Sequence, residues 1–305
     1  MTAQGELRER HDERSELELP PLALELPVAE ERALVPGGFE AGGLAIGIKR
    51  SGRHDLAVVR AVSGPAAAAA VFTTNSLPAA PVRLDRRHLA ATEPEGNGSY
   101  GWSEAVVATS GCANAATGAG GDADQERIAA LLAAALGTTA ERTLALSTGL
   151  IGTRLPVDNV ADGIARLVPR GLGRSPEAIE SAAEALLTTD TRRKLASVQL
   201  ELPSRGGGTA PVRVCGMAKG VGMIHPRMAT MLAVLLTDAS ADPLTLHRLL
   251  APIAARTWNQ LSVDGDTSTN DSVLLLASGA SDAAPVAAGS EGARALGRAI
   301  EAVAR

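Results

Sequence analysis

The sequence predicts an α/β protein in which helices cover sheets, and three observations carry that expectation. Short runs rich in Val, Ala and Leu, bounded by Gly, Ser, Asn or Pro, recur along the chain and read as strands. Between them lie longer stretches with apolar residues at helical spacing and clear start signals. The two kinds of segment alternate, which is the pattern of helices layered on sheets. The 305 residues suffice for one large core or two smaller ones. Aromatic residues make up only 2%, so the layers must pack through Ala, Val and Leu at close spacing.

Residues 1–35 mix acidic, basic and proline-containing pieces and read as a solvated extension, disordered at least to Glu18. Ordered sequence is expected from Val35-Pro36-Gly37-Gly38-Phe39. Residues 44–49, 55–62 and 66–72 read as strands between Gly, Ser and Pro turns. Arg86-Arg87-His88 reads as a solvated cluster with no assigned role. Residues 105–110 form a further strand leading into SGCANAATG, where the Asn114 amide either orders a loop near a site or satisfies a turn. A helix is expected over residues 123–136, with Asp122 as N-cap and Gln125 at capping-box spacing. Its Ile128, Leu131, Leu132 and Leu136 share one face.

Residues 143–147 read as a strand running into Thr148-Gly149-Leu150-Ile151-Gly152. Two helices follow, over residues 157–168 and from Pro176 to about residue 187, the second capped by Ser175. Residues 195–202 and 212–215 flank a turn at 204–208 as a hairpin. Residues 231–236 are apolar throughout and read as a buried strand. Asp242-Pro243 opens a helix to about residue 257, expected to kink at Pro252. A last helix spans about residues 291–303.

Composition excludes several classes. A net charge of −5 leaves no footprint for nucleic acid or an anionic membrane. No apolar run reaches the roughly 18 residues of a membrane span. Cys112 and Cys215 match no metal or redox spacing; a reduced cytoplasmic chain is the simpler reading, with one disulfide as the alternative. The acids from Asp264 to Asp271 fail the calcium-loop rule, because Thr269 stands where Gly is needed and Leu275 where Glu is needed. No metal is assigned.

The most informative stretch runs from Gly216 to Asp238, GMAKGVGMIHPRMATMLAVLLTD. A glycine-broken loop containing Lys219 leads to Thr230, which stands directly before the buried strand. A Thr so placed is ordinarily a β-former beside a turn. It is also what an N-terminal nucleophile needs, a hydroxyl able to attack the preceding carbonyl, that of Ala229. Once cut, Thr230 would carry a free α-amine, titrating near 7.7–8.0, beside its own hydroxyl as a general base. Likewise, a strand ending in Thr148-Gly149 can aim a hydroxyl and an N–H at developing negative charge, although the physics alone favours an ordinary turn.

The segment from Lys219 to Leu232 resembles the self-cleavage signature of the ornithine acetyltransferase (glutamate N-acetyltransferase) family. Further resemblances lie in GFEAGGLAIGIKRSGRHDLAVV, in STGLIG, in Thr188-Thr189-Asp190-Thr191 and in the DGDTSTND run. Together they cover roughly residues 37–305. The resemblance implies an αββα-type sandwich with the sheets between helix layers. It implies cleavage at Ala229-Thr230, giving an α-chain region of residues 36–229 and a β-chain region from 230. The latter is expected to lack C-terminal motifs of the family. Thr230 would be the nucleophile, and Thr148 with Gly149 the oxyanion hole. Thr188, Thr189, Lys219 and Thr230 would bind substrate, Lys219 through a carboxylate, and the DGDTSTND loop would brace the nucleophile strand. The implied reaction moves an acetyl group from N-acetylornithine to glutamate without a cofactor. Acetyl-CoA is left open as a second donor, in an assembly of two α and two β chains. Two alternatives stay open, a self-cleaving aminopeptidase or amidase of similar fold, and an inactive homologue that only binds amino acids. Cys112 and Arg227 depart from the family pattern, each standing where Asn is usual.

Overall fold

The computed structural model describes residues 25–223 and 231–305. Within them two sheets form. One has the order β1 (Phe39–Leu44), β2 (Leu56–Ala61), β5 (Ala105–Cys112) and β6 (Thr143–Leu150), antiparallel except for the β5–β6 pair. The other has the order β4 (Tyr100–Ser103), β3 (Ala66–Phe72), β10 (Ser272–Ala277), β9 (Leu232–Thr237), β8 (Thr209–Lys219) and β7 (Lys194–Pro203). Its central β10–β9 pair is parallel and the rest are antiparallel.

Period-2 alternation sets the layers. Leu232, Val234 and Leu236 of β9, with Leu274 and Leu276 of β10, meet Val59, Val106, Leu144 and Leu146 of the other sheet in the central core. The intervening Ala233, Leu235, Val273 and Leu275 face the opposite way, onto Leu246, Leu250 and Ile253 of α5 (Pro243–Arg256) and Leu296 and Ile300 of α6 (Glu291–Ala304). Burial on both faces is why these strands read as unbroken apolar runs. On the far side, Leu56, Val58 and Val107 pack under Ile128 and Leu132 of α2 (Gly118–Leu136) and Val160 and Ile164 of α3 (Val157–Arg170). The result is the expected αββα sandwich. α4 (Pro176–Leu186) and α1 (Ala80–Thr92) also reach the central core, through Ile179, Ala182 and Leu186 and through Val82 and Leu89.

The first strand lies at Phe39–Leu44 rather than at residues 44–49. Its glycines explain the shift: a Cβ on Gly43 would stand 2.0 Å from the Ser181 carbonyl oxygen, so only a bare backbone lets α4 pack so closely. The amides of Ile46, Ile48 and Lys49 leave the ladder and donate to the Asp55 carboxylate at 2.7–2.8 Å. α1, β4 and β10 were not anticipated. α1 contains the Arg86-Arg87-His88 cluster; Arg86 stacks on Phe72 and His88 Nδ1 lies 2.8 Å from the Thr143 carbonyl. α2 begins at Gly118, with Thr117 at its N-cap position. Asp122 therefore lies inside the helix and pairs with Arg83 of α1, while buried Gln125 accepts from Asn114 at 3.2 Å; neither forms the expected capping box. The caps expected at Ser175 and Asp242 are present, accepting from Ala178 N at 3.3 Å and Thr245 N at 2.7 Å.

The expected extension is described only from residue 25. From there the chain lies along β7: Glu30 and Ser197 exchange backbone hydrogen bonds of 2.9 Å, and Leu34 N donates to Ser197 Oγ at 3.0 Å. Among the described residues no helix is long and apolar enough to cross a membrane.

Candidate active site

The site forms where the end of β6, in one sheet, faces the end of β8, in the other. β6 runs parallel to β5 with Ser110 opposite Thr148 and Gly111 opposite Gly149. At Gly149 the backbone adopts φ +130°, and a Cβ would lie 2.3 Å from the Gly111 carbonyl carbon. Glycine is required there by both conformation and space. It leaves the Gly149 backbone exposed beside the buried Thr148.

Lys219 is the last residue of β8, and its Nζ donates to Thr148 Oγ1 at 2.8 Å. The two side chains come from positions 71 apart in the chain, and both are buried. Burial pulls the Lys219 ammonium below its ordinary range, while the nearby carboxylates of Asp190 and Asp271 oppose that shift. Asp190 Oδ1 accepts from Gly220 N at 2.9 Å and pairs with Lys194. Burial pushes Asp190 upward, but the Gly220 N–H and the charges of Lys194 and Lys219 outweigh it and hold the carboxyl below its usual range. Asp271 Oδ1 accepts from Met231 N at 3.1 Å, and burial raises its pKa to about 8 against the pull of Ser268, Met231 and Lys219.

The DGDTSTND loop braces this corner as expected. Asn270 Nδ2 donates to the Ala113 carbonyl at 2.6 Å and to the Ser147 carbonyl at 2.9 Å, tying the ends of β5 and β6 together. Asp271 meanwhile fixes the start of β9. Asn114, at φ +48°, binds Gly121 O and accepts from Thr117, so it organises the turn into α2.

The structure thus brings Thr148, Gly149 and Lys219 together. Thr188 is half-buried and Thr189 exposed in the α4–β7 connection; of that run, Asp190 is the residue that reaches Gly220. Ala229 and Thr230 lie outside the described residues. A cavity of about 490 Å³ adjoins Lys219, Gly220 and Met231, lined by Gly216, Ala218 and Leu235 on the α6 side of the sheet. The Lys219 ammonium instead reaches the opposite, inter-sheet side, where Thr148 stands, so the cavity is not the site of that contact. Cys112 and Cys215 are both free and lie in different sheets. Among the described residues no group of three or more His, Cys, Asp and Glu could hold a metal ion.

The family model described as the ArgJ family matches residues 40–305. The chain belongs to the ArgJ family. The mitochondrial arginine biosynthesis bifunctional protein ArgJ of Aspergillus fumigatus is 41% identical over 273 residues, covering 87% of this chain and 56% of its own length. The chain therefore spans little more than half of that ArgJ relative. Among solved structures, ornithine acetyltransferase from Mycobacterium tuberculosis, complexed with ornithine, is 35% identical with a TM-score of 0.56. That match covers 67% of this chain and 100% of the solved one. The arginine biosynthesis bifunctional protein argJ of Bacillus halodurans is 34% identical with a TM-score of 0.55, covering 65% of this chain and 92% of the solved one.

In this ArgJ-family chain, residue-by-residue reading passed over Asp190, Lys194 and Asp271 as site residues. Asp190 and Asp271 stood inside quoted motifs, so a signal existed. Their partners, Gly220 and Met231, lie 30 and 40 residues away and give no local sign.

Proposed function

We propose that this chain supplies the nucleophile and oxyanion machinery of an acetyltransferase that moves an acetyl group from N-acetylornithine to glutamate. The observation that carries this reading is the 2.8 Å contact of Lys219 with Thr148. It sets the start of the cleavage loop against the strand end expected to hold the oxyanion, while Asp271 holds the amide of Met231, the residue after Thr230. In the proposed maturation, Thr230 Oγ attacks the Ala229 carbonyl carbon and displaces its own amide nitrogen, and water then hydrolyses the ester. Ala229 gains a carboxylate and Thr230 a free α-amine. In turnover that amine takes the Thr230 hydroxyl proton as Oγ attacks the acetyl carbonyl, and Thr148 with Gly149 stabilises the oxyanion. Ornithine leaves with a proton, and the glutamate amine accepts the acetyl group from Thr230.

Supporting the reading, the ornithine acetyltransferase of M. tuberculosis that this chain resembles was solved with ornithine bound. Thr188 and Thr189, beside Asp190, are assigned to substrate contact. The proposed reaction uses no cofactor, and acetyl-CoA, left open as a second donor, is tried in the same assay. The proposed assembly pairs two pieces ending at Ala229 with two beginning at Thr230, in the cytoplasm.

Intact mass and N-terminal sequencing test the maturation. A piece beginning Thr-Met-Leu-Ala is expected, whereas Thr230→Ala should stay whole. Incubation with N-acetylornithine and glutamate should yield ornithine and N-acetylglutamate. Acetate release that ignores glutamate would favour the amidase alternative, and an uncut chain without turnover would favour the binding-only one.

A further inference from the structure

Lysine is scarce in this chain: of 29 lysines and arginines only Lys49, Lys194 and Lys219 are lysines. All three stand around one carboxylate. Lys194 pairs with Asp190, and the ammonium groups of Lys219 and Lys49 both feel its charge. What holds each amine differs. Lys219 is 4% exposed, and Lys194 is exposed but tied to Asp190. Lys49 is half-buried, and its Nζ donates to the His54 carbonyl at 2.5 Å. The charged groups that face it are Asp55, Arg53, Glu184 and Asp190. Among the described residues none of these acids pairs with it, because each is engaged elsewhere. Asp55 accepts the amides of Ile46, Ile48 and Lys49 at 2.7–2.8 Å. Glu184 accepts from Arg53 at 2.6 and 2.8 Å, and Asp190 holds Gly220 N and Lys194.

The turn that carries Lys49 lies at the same end of its sheet as Thr148 and Gly149. Ser110 N donates to the Asp55 carbonyl at 3.0 Å, and a Cβ on Gly111, opposite Gly149, would stand 3.2 Å from Lys49 Cγ. The three amides held by Asp55 fix the turn, so the amine is presented in one place. Burial strips water from the ammonium and lowers its pKa from 10.5 to about 8, with Arg53 adding to the fall and the acids opposing it. At pH 7.5 about a quarter of the amine is then neutral, against about one part in a thousand for an ordinary lysine.

A nucleophilic amine must be reachable and free of an ion pair, and of the three lysines Lys49 alone meets both conditions. Resting on the acyl-transfer reading only for the choice of acyl group, we propose that Lys49 is a modification site that takes an acetyl group from an acetyl thioester. The neutral Nζ attacks the thioester carbonyl carbon, the C–S bond breaks and the thiolate leaves. The nitrogen gives its extra proton to solvent, and the product is an uncharged Nε-acetyl amide. The corner beside Asp190 and Glu184 thereby loses one positive charge.

Incubation of the wild-type protein with acetyl-CoA tests the proposal, with the three lysines followed by peptide mass spectrometry. At pH 7.5 Lys49 should acquire the acetyl group at least about tenfold faster than Lys194 or Lys219. Its rate should climb through pH 8 and level off above about pH 9, once the amine has lost its proton. Equal rates at Lys49 and Lys194 would overturn the proposal, and so would a Lys49 rate still rising about tenfold per pH unit above pH 9. Thr230→Ala separates this step from acetyl transfer between amino acids. Lys49 should be acetylated in that variant as fast as in the wild type, and its loss there would overturn direct attack on the thioester. If the wild type moves no acetyl group from N-acetylornithine to glutamate, the acetyltransferase reading fails while the acetylation of Lys49 still stands or falls by these rates.

Discussion

Asp271 offers the most quantitative prediction. It is fully buried, its Oδ1 accepts from Met231 N, and among the described residues nothing donates to its Oδ2. Burial raises its pKa from the ordinary 3.8 to about 8. Between those values the folded protein keeps a proton that the unfolded chain has released. Stability is therefore full below about pH 3.8, falls as pH rises, and stops falling near pH 8. From pH 5 to pH 8 the loss is about 3 pH units at 1.36 kcal/mol each, on the order of 4 kcal/mol. Asp271→Asn removes the titration and keeps an oxygen to accept from Met231 N. Lys219, lowered by burial, acts with the opposite sign, but it is present in both proteins and subtracts to first order. The assay is urea unfolding from pH 5 to 8.5 on Thr230→Ala protein, which is expected to remain one chain. The stability of Asp271→Asn relative to Asp271 should rise by several kcal/mol across that range. Parallel curves, constant to within about 0.5 kcal/mol, would refute the argument that burial keeps this carboxyl protonated.

Three further outcomes are expected. Gly149→Ala puts a Cβ 2.3 Å from the Gly111 carbonyl carbon at φ +130°; it should cost at least about 2 kcal/mol in calorimetry and abolish acetyl transfer. Thr148→Ala should lower kcat by roughly 10²–10³ in steady-state assays while circular dichroism shows the wild-type fold. Asp190→Ala leaves Gly220 N–H unsatisfied and removes the nearer-acting of the two acidic groups beside Lys219, a loss of about 2 kcal/mol at neutral pH by urea titration. Because Asp190 titrates below its usual 3.8, its contribution is present above that pH and lost as pH falls through the folded value. Wild type and variant should therefore converge in acid.

Much of the fold was legible because its signals are local. Ser175 and Asp242 cap their helices through bonds to residues three positions on, and such contacts are written in adjacent residues. The run at β9 announced burial on both faces, and the 195–215 hairpin announced its own turn. Signals failed where a distant partner decided the outcome. Gly42 and Gly43 stood outside the expected strands, yet they pair with Val58 and Ala57 of β2, and their missing side chains leave room for the Gly171 and Ser181 carbonyls. Arg86-Arg87-His88 read as solvated, and Arg86 and Arg87 are exposed, but nothing local announced α1 or that its Asp85 is buried and accepts from Ala145 N of β6, 60 residues away. Asp122 and Gln125 fit a capping pattern by spacing, but partners on α1 and in the turn before α2 claimed both.

By itself the sequence pointed to helices layered on sheets, carried the motifs whose family resemblance implied the αββα sandwich, and offered Thr148, Gly149 and Lys219 as candidates. Only the tertiary structure decided that Lys219 meets Thr148, that Asp190 holds Gly220 N, and that Asp271 is buried beside β9 with its pKa raised to about 8. The physical reason is the sandwich itself. Strand periodicity and caps act over a few residues, whereas this site joins the ends of strands from two different sheets. The charge states there depend on burial that no single segment carries.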